Sequence, residues 1–526
     1  MKKVFIYILS ATMMLAACVD NLQNENVLPD ESDALITETI SARVNEGGTK
    51  ATIDGTSGAF AWTKDNDAIA VHTTGDGSHA ACYVTSGGAS ASAAEAGFTV
   101  SYYGSRDAFA IYPSNIVATD AANYGQEGHA LDVTLPASYT LAEVSGEASP
   151  CPMIASNTGT NWEFKQLCGL LRLTVNNIPS DATGMVIQFP GKKVNGSFSI
   201  ASPVSPGFST IPTGVAADGE DKITISFDAG ITSAIVNIPL PTGTYDYLYI
   251  TPVGTSTKVA AIRNVNNITA GPYTAVRANG KKLTTTMVSF SVSSTKKVFF
   301  APGNLVKIGG STYAFETTPF NTNGGSLGYN QGDWESLPAR GYFSWSEIAT
   351  ANEEPRLFTI NGVSDWKAMT FDEWNFLYAE LYESINTGED CYGRTMEDGV
   401  ARYYRVYVGG PEPQLGLLIT PDEATSSDVT GLTDKSVTEI ANIDTFISKG
   451  FAFLPSSGYF SRGVSDTWGD AGIMGYYWYT TEDEADEDLA YYLRFHSTGP
   501  NGMSDSGTDW KSNYYYISVR LVHEYK

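Results

Sequence analysis

Through its first half the chain alternates apolar and polar side chains in short runs broken by turn-forming clusters. Ile223, Ile225 and Phe227 stand against Thr224 and Ser226, the period-two pattern of a strand with one covered face. Similar runs rich in Val, Ile, Thr and Tyr fall at Asp67–His72, Asp107–Tyr112, Leu170–Asn176, Met185–Phe189, Lys222–Phe227, Ala234–Pro239 and Tyr245–Thr251. His72 is expected at the loop edge of its strand. No helical periodicity stands out before about residue 340. Short strands at this spacing predict antiparallel β-sandwiches, and the gap at Ser145–Pro152 predicts the division between two of them.

After Lys282 the pattern changes. Strands are expected at Val288–Val292 and Lys297–Phe300, followed by a turn at Ala301–Asn304. Two helices then carry start signals. Thr370-x-x-Glu373 is a capping box, with Phe371, Trp374, Leu377, Tyr378 and Leu381 on one face. Ser436-x-x-Glu439 has the same form, with Ile440, Ile443, Phe446 and Ile447 facing inward and Lys449-Gly450 as the stop. Strands resume at Phe451–Leu454 and close with Tyr515–Leu521, which predicts an α+β domain.

Composition narrows the partners. Lys plus Arg number 32 against 58 Asp plus Glu, a formal charge of -26 that repels phosphate backbones, so nucleic acid is excluded as a partner. Apolar residues at 42% and aromatic residues at 12% exclude a disordered chain. Cys82, Cys151, Cys168 and Cys391 show no CxxC spacing and no nearby His, which argues against zinc. Cys151 and Cys168 are the one pair close enough to consider for a disulfide, buried thiols being the alternative.

The start of the chain reads as an export signal: Lys2 and Lys3 precede an apolar run, Val4–Ala17, too short to span a bilayer. Leu15-Ala16-Ala17-Cys18 resembles the bacterial lipobox, which implies cleavage before Cys18 and lipidation of its thiol. Residues 1–17 are then a signal peptide and 18–35 a polar tether. No later run of 18 apolar residues occurs, so membrane contact is expected through the lipid anchor only.

Catalytic signals have plain explanations. Gly324-Gly325-Ser326-Leu327-Gly328 matches GxSxG, but loop-like sequence on both sides lacks the strand and helix a nucleophile elbow needs. The five histidines, His72, His79, His129, His496 and His523, are not spaced as metal or triad partners. The acidic run Thr481–Asp488 invites Ca²⁺ but lacks the alternating carboxylate spacing that wraps one ion; no cofactor is expected, and calcium stays open. The aromatic runs Gly475–Thr481, Tyr491–Phe495 and Tyr514–Tyr516 are expected to place about two-thirds of their rings in the core. Tyr479, with Trp468 and Trp510 in polar loops, is the candidate ligand-binding set, offering rings to a sugar or a protein.

Two resemblances complete the picture. Thr49–His72, Asp107–Asn115, Cys151–Val175 and Lys193–Ile200 resemble, in order and spacing, the fimbrillin-like (Mfa-type) pilins of type V fimbriae, exported as lipoproteins. Val288–Leu305, Lys367–Leu377, Gly416–Asp422, Gly450–Phe460, Gly475–Thr481 and Tyr516–Tyr525 look like a C-type-lectin-like domain. Trp478-Tyr479-Thr480 replaces that domain's usual Trp-Ser-Ser. Glu412-Pro413-Gln414 stands in the wrong place for its calcium-dependent sugar site, so that activity does not carry over. The fold also overlaps formylglycine-generating enzymes, but Cys391 stands alone where those have a cysteine pair.

The resemblances imply a mainly β protein: fimbrillin-like β-sandwiches at 36–150 and 151–285, then an α+β C-type-lectin-like domain at 286–526. They also imply assembly by strand exchange, in which a first strand at about Ile36–Val44 departs after cleavage at Arg43 or Lys50, the candidate processing sites. The expected function is a non-enzymatic, outer-membrane, surface-exposed tip adhesin of a fimbria. Its expected partners are other fimbrial subunits and a host or bacterial surface glycan or protein. The alternative is a free-standing outer-membrane lipoprotein that binds glycan or host protein without polymerising. A glycan-active enzyme ranks third and needs two carboxylates held about 5–10 Å apart in a cleft.

Overall fold

The structure is a computed structural model. It describes residues 35–44, 62–75, 82–93, 95–114, 130–145, 152–156, 159–201, 219–241, 243–270, 275–276, 283–316, 341–350, 354–360, 362–378, 400–409, 414–433, 436–461, 467–470, 472–483, 486–496, 505–510 and 515–525. The protein is mainly β. Among the described residues, no helix is long and apolar enough to cross a membrane.

The first unit is built on β1 (Ile36–Val44), β2 (Ala70–Gly75), β3 (Cys82–Thr85), β4 (Glu95–Tyr102) and β5 (Ser105–Tyr112). The chain then runs through β6 (Ala130–Leu135) and β7 (Ser138–Thr140) and returns in β8 (Met153–Ser156) and β9 (Asn161–Gln166). Seven of these strands form one sheet in the order β3-β2-β5-β8-β9-β1-β4. The sheet curls until its ends meet: the Gly87 amide donates to the Thr99 carbonyl at 2.8 Å, and the Ser90 amide to the Gly97 carbonyl at 2.9 Å. These bonds bring the segment after β3 against β4 around one core that includes Trp62, Phe98, Trp162 and Phe164. Two facing sheets were expected here; the ladder pairs these seven strands in one continuous order.

The division expected at 150 cuts through this sheet. β8 pairs antiparallel with β5, matching Tyr112 to Met153, and β9 continues the ladder. Conversely, β7 pairs with Lys222–Ser226 and β6 with Gly196–Ala201, so the chain enters the second unit before completing the first. Local sequence carries no sign of this, because every pairing involved is long-range.

In the second unit Gly169–Asn176 pairs antiparallel with Ser233–Leu240 and parallel with Leu283–Thr286. Gly184–Gln188 lies between Lys222–Ser226 and Gly243–Val253, antiparallel to both. Inward residues of both sheets, among them Leu173, Val175, Ile187, Ile225, Val236 and Ile250, share one core. Beside it, Thr140 and Glu143 cap a single helical turn, Leu141–Val144, which the periodicity did not announce.

The C-terminal region begins and ends in one small sheet, where Lys297–Phe300 lies between Phe290–Ser291 and Val522–Glu524. The helix Phe371–Tyr378 carries the expected capping box. Thr370 N–H donates to the Glu373 carboxylate at 3.0 Å, and Glu373 N–H to the Thr370 hydroxyl at 3.2 Å. The second expected helix is corrected. Thr438–Ile440 is a strand parallel to Tyr403–Val408, and only Asp444–Ile447 is helical, ended by Gly450 at φ +90°. Tyr247 and Ala260 of the second unit share a core with Phe299 and Trp366, and Tyr249 stacks on Phe299 at 5.0 Å. The division expected near 285 is therefore bridged by apolar packing.

Candidate functional site

The seat of β1 is where the candidate assembly residues can be judged. β1 runs antiparallel to β4 from Ile36–Tyr102 to Arg43–Glu95, and parallel to β9 from Ser41–Asn161 to Val44–Phe164. Its side chains alternate as a strand with one covered face should. Thr37, Thr39, Ser41 and Arg43 point outward, while Glu38, Ile40 and Ala42 point inward.

Among the described side chains of β1, Ile40 and Ala42 are the fully buried ones. One buried Ile contributes about 1.5–3 kcal/mol and an Ala far less, so side-chain burial is a small part of what holds β1. The outward contacts add little. Thr37 Oγ1 lies 2.9 Å from Ser101 Oγ, and Ser41 donates to Glu95 at 2.6 Å. Arg43 Nη2 lies 3.1 Å from Glu163 Oε1 with both side chains largely exposed, a pairing of negligible net stability. Main-chain pairing runs to β4 over Ile36–Arg43 and to β9 over Ser41–Val44.

Two inward polar contacts fix the register. Glu38 accepts from the Tyr102 hydroxyl at 2.9 Å and from Arg106 Nε. Arg106 also donates to the Gly159 carbonyl at 3.0 Å and lies over the Trp162 ring at 5.1 Å. Its side chain is 11% exposed and that of Glu38 21%. Burial, then the Glu38 hydrogen bond and charge, push the Tyr102 phenol above its ordinary pKa. Deeper, Trp62 Nε1 donates to the Ala42 carbonyl at 2.9 Å. Edge-on contacts with Phe98, Tyr112 and Phe164, at 4.9, 5.2 and 5.4 Å, hold that indole in place. Sequence reasoning missed Glu38, Trp62 and Arg106 as parts of this seat, since nothing in their spacing links them.

Of the candidate processing residues, Arg43 is exposed near the end of β1. Lys50, the lipidation candidate Cys18, Cys151 and the GxSxG stretch lie outside the described residues. Cys168 is buried. His72 lies within β2 and is buried against Tyr83, rather than at a loop edge.

The ligand-binding set is corrected. Tyr479 is 1% exposed and packs against Phe371 and Trp374, so it is a core residue. The strand Met474–Asp483 is covered on both faces: Tyr476 and Trp478 enter one core, Tyr477 and Tyr479 another. Alternation therefore turns no ring of this run fully to solvent. Trp468 lies in the strand Thr467–Gly469, opposite Phe460, and Trp510 ends the strand Asp505–Trp510, opposite Leu489; neither is in a loop. Of the acidic run, Thr481–Asp483 end the strand Met474–Asp483 and Asp486–Asp488 begin its antiparallel partner Asp486–His496. Among the described residues no three His, Cys, Asp or Glu side chains gather as a metal site.

No protein-family model matches the chain, and no curated protein matches it. Among solved structures, a candidate cell adhesion protein from Bacteroides ovatus ATCC 8483 is similar at 13% identity and TM-score 0.26, over 44% of this chain and 86% of that one. The tip fimbrial protein Mfa3 from Porphyromonas gingivalis, with C-terminal truncation, is similar at 12% identity and TM-score 0.20, over 42% and 78%. A candidate adhesin from Bacteroides ovatus ATCC 8483 is similar at 10% identity and TM-score 0.23, over 48% and 89%. Likenesses this distant assign the chain no family.

Proposed function

We propose that this chain is an exported, lipid-anchored surface protein that becomes the adhesive tip subunit of a fimbria. Cleavage after Arg43 or Lys50 frees β1 with the lipid, and the vacated seat accepts a strand from a neighbouring subunit. The C-terminal region then faces a glycan or protein at the target surface. No catalytic step is part of this function.

The observation that carries the proposal is how β1 is held. It has strand partners on both sides, yet among its described side chains only Ile40 and Ala42 are fully buried. Main-chain hydrogen bonds depend little on sequence, so a foreign strand can make the same ladder, while inward side chains at the positions of Glu38, Ile40 and Ala42 set the register. The apolar contact of Tyr247 and Tyr249 with the C-terminal region favours a rigid link between assembly module and adhesive end.

A second reading, a free-standing lipoprotein that never exchanges β1, is favoured by the half-buried Glu38–Arg106 pair, which is costly to break. Immunogold labelling with antibodies to residues 286–526, combined with sequencing of the mature N-terminus, separates the two. Label at filament ends with N-termini beyond Arg43 supports the tip adhesin. Label over the envelope with N-termini at Cys18 supports the free-standing protein.

A further inference from the structure

Rings from the aromatic runs of the C-terminal region also line a hollow among the described residues. Tyr459, Tyr476, Trp478, Tyr492, Tyr515 and Ile517 line a cavity of about 190 Å³. They come from four strands of one sheet, Tyr459–Ser461, Met474–Asp483, Asp486–His496 and Tyr515–Ser518, and all join the same core. Tyr459 meets Tyr476 at 5.1 Å and 73°, and Trp478 meets Tyr492 at 6.0 Å and 86°. Rings set this steeply present faces and edges to the space between them. Tyr476 and Tyr492 are each 8% exposed, so these walls are packed in place, while Tyr459 and Tyr515 are more open to solvent.

The polar groups carry both signs. Tyr476 donates its hydroxyl to Asp470 Oδ2 at 2.7 Å and lies 3.4 Å from Met474 Sδ. Asp470 sits at φ +56°, and its carbonyl accepts from the Ile473 and Met474 amides at 2.9 and 2.8 Å, which fixes the residue that carries the carboxylate. Arg494 stands opposite Tyr476 in the strand ladder. Burial and then Asp470 raise the Tyr476 phenol above its ordinary pKa, while Arg494 opposes them, so both charges reach this hydroxyl. Trp478 donates Nε1 to the Phe343 carbonyl at 2.7 Å and leaves its ring for the cavity.

We propose that this cavity is a binding site for a single neutral hexose ring. A pyranose has a C–H face that lies on an aromatic ring and a rim of hydroxyls that both donate and accept, matching walls of aromatic rings that carry tyrosine hydroxyls, one of them bonded to Asp470. The volume is about 190 Å³. It falls below the roughly 300 Å³ at which drug-sized pockets begin, so it fits one ring rather than a chain of them. An aromatic cage for a quaternary ammonium is the competing design, but Arg494 beside Tyr476 disfavours a cation. Asp470 and the formal charge of -26 disfavour an anion. The site does not depend on strand exchange, and its test uses the uncleaved chain.

Saturation-transfer NMR and titration calorimetry on the full mature chain, with methyl glycosides of glucose, galactose, mannose and N-acetylglucosamine, test this directly. Choline serves as the cation probe. At least one methyl hexoside should bind, and Tyr515→Ala should weaken it about tenfold through loss of one ring contact. Asp470→Asn, which keeps a residue tolerant of positive φ, should weaken binding while leaving the melting temperature unchanged. Absence of binding by every hexoside, binding of choline instead, or hexoside binding indifferent to both variants would overturn the proposal.

Discussion

The indole of Trp62 donates to the backbone carbonyl of Ala42 at 2.9 Å, tying β1 to the centre of the core it covers. Because the acceptor is main chain, no substitution at position 42 that preserves the backbone removes the bond; only the donor can. Trp62→Phe keeps an aromatic ring but removes this bond, leaving the carbonyl its place in the ladder with β4, at a cost of about 1 kcal/mol. Faster amide exchange in Ile36–Val44 and faster cleavage at Arg43 by an arginine-specific protease are expected. Unchanged protection of that strand would show that the bond does not hold it.

Glu38 holds two neighbours at once, the Tyr102 hydroxyl and the Arg106 guanidinium. Glu38→Ala leaves Arg106 mostly buried with the Gly159 carbonyl and the Trp162 face. A loss of about 2–3 kcal/mol in urea unfolding is expected, below the cost of breaking a fully buried pair because the site is partly open. Glu38→Gln, which still accepts from the phenol, should lose less.

In the C-terminal region the Glu373 carboxylate caps its own helix and meets Lys296 and Lys367, which also share Glu524 at 3.2 and 3.3 Å. Burial lowers the Lys296 pKa, but hydrogen bonds and the charge of Glu373 outweigh it and hold the ammonium above the ordinary lysine value. Thr370→Ala removes only the cap and should cost about 1 kcal/mol. Glu373→Gln strips charge from a 9% exposed site facing two cations and should cost more, about 2–3 kcal/mol. The order of the two losses, read from melting curves, checks whether charge or capping dominates.

Burial pushes the Glu316 carboxyl up to about 8, against the opposing pull of the buried Arg520 guanidinium. Between about 4.5 and about 8 the folded protein keeps a proton that the unfolded chain has released. This contribution is full below pH 4.5 and is lost as pH rises through 8, at up to about 1.4 kcal/mol per pH unit. Glu316→Gln should flatten that decline in denaturant titrations run from pH 5 to 8. A wild-type curve already flat over this window would contradict the assignment.

How much of this could be read from the chain depended on how local each signal was. The strand Gly169–Asn176 follows Leu170–Asn176 closely because its pattern needs no partner to be seen. The Thr370–Glu373 box formed as written because both halves lie within one turn. The Ser436–Glu439 signal failed because ladder bonding of Thr438–Ile440 to Val406–Val408 competes with helix formation. The turn starts only where Asn442 Oδ1 accepts from the Asp444 amide. Tyr479 was misjudged because alternation assumes one covered face, and its strand has two. The seat of β1 joins Glu38, Trp62 and Arg106 across turns and crossovers, where no sequence spacing reports contact.

The central claim is that β1 can leave and another strand can take its place. Cleavage after Arg43, with a fluorescent copy of Ile36–Val44 added in excess, tests it most directly. The account predicts that the cleaved protein takes up the labelled strand and releases its own, while the uncleaved protein takes up none. A cleaved protein that retains its original strand and excludes the labelled one would contradict the account.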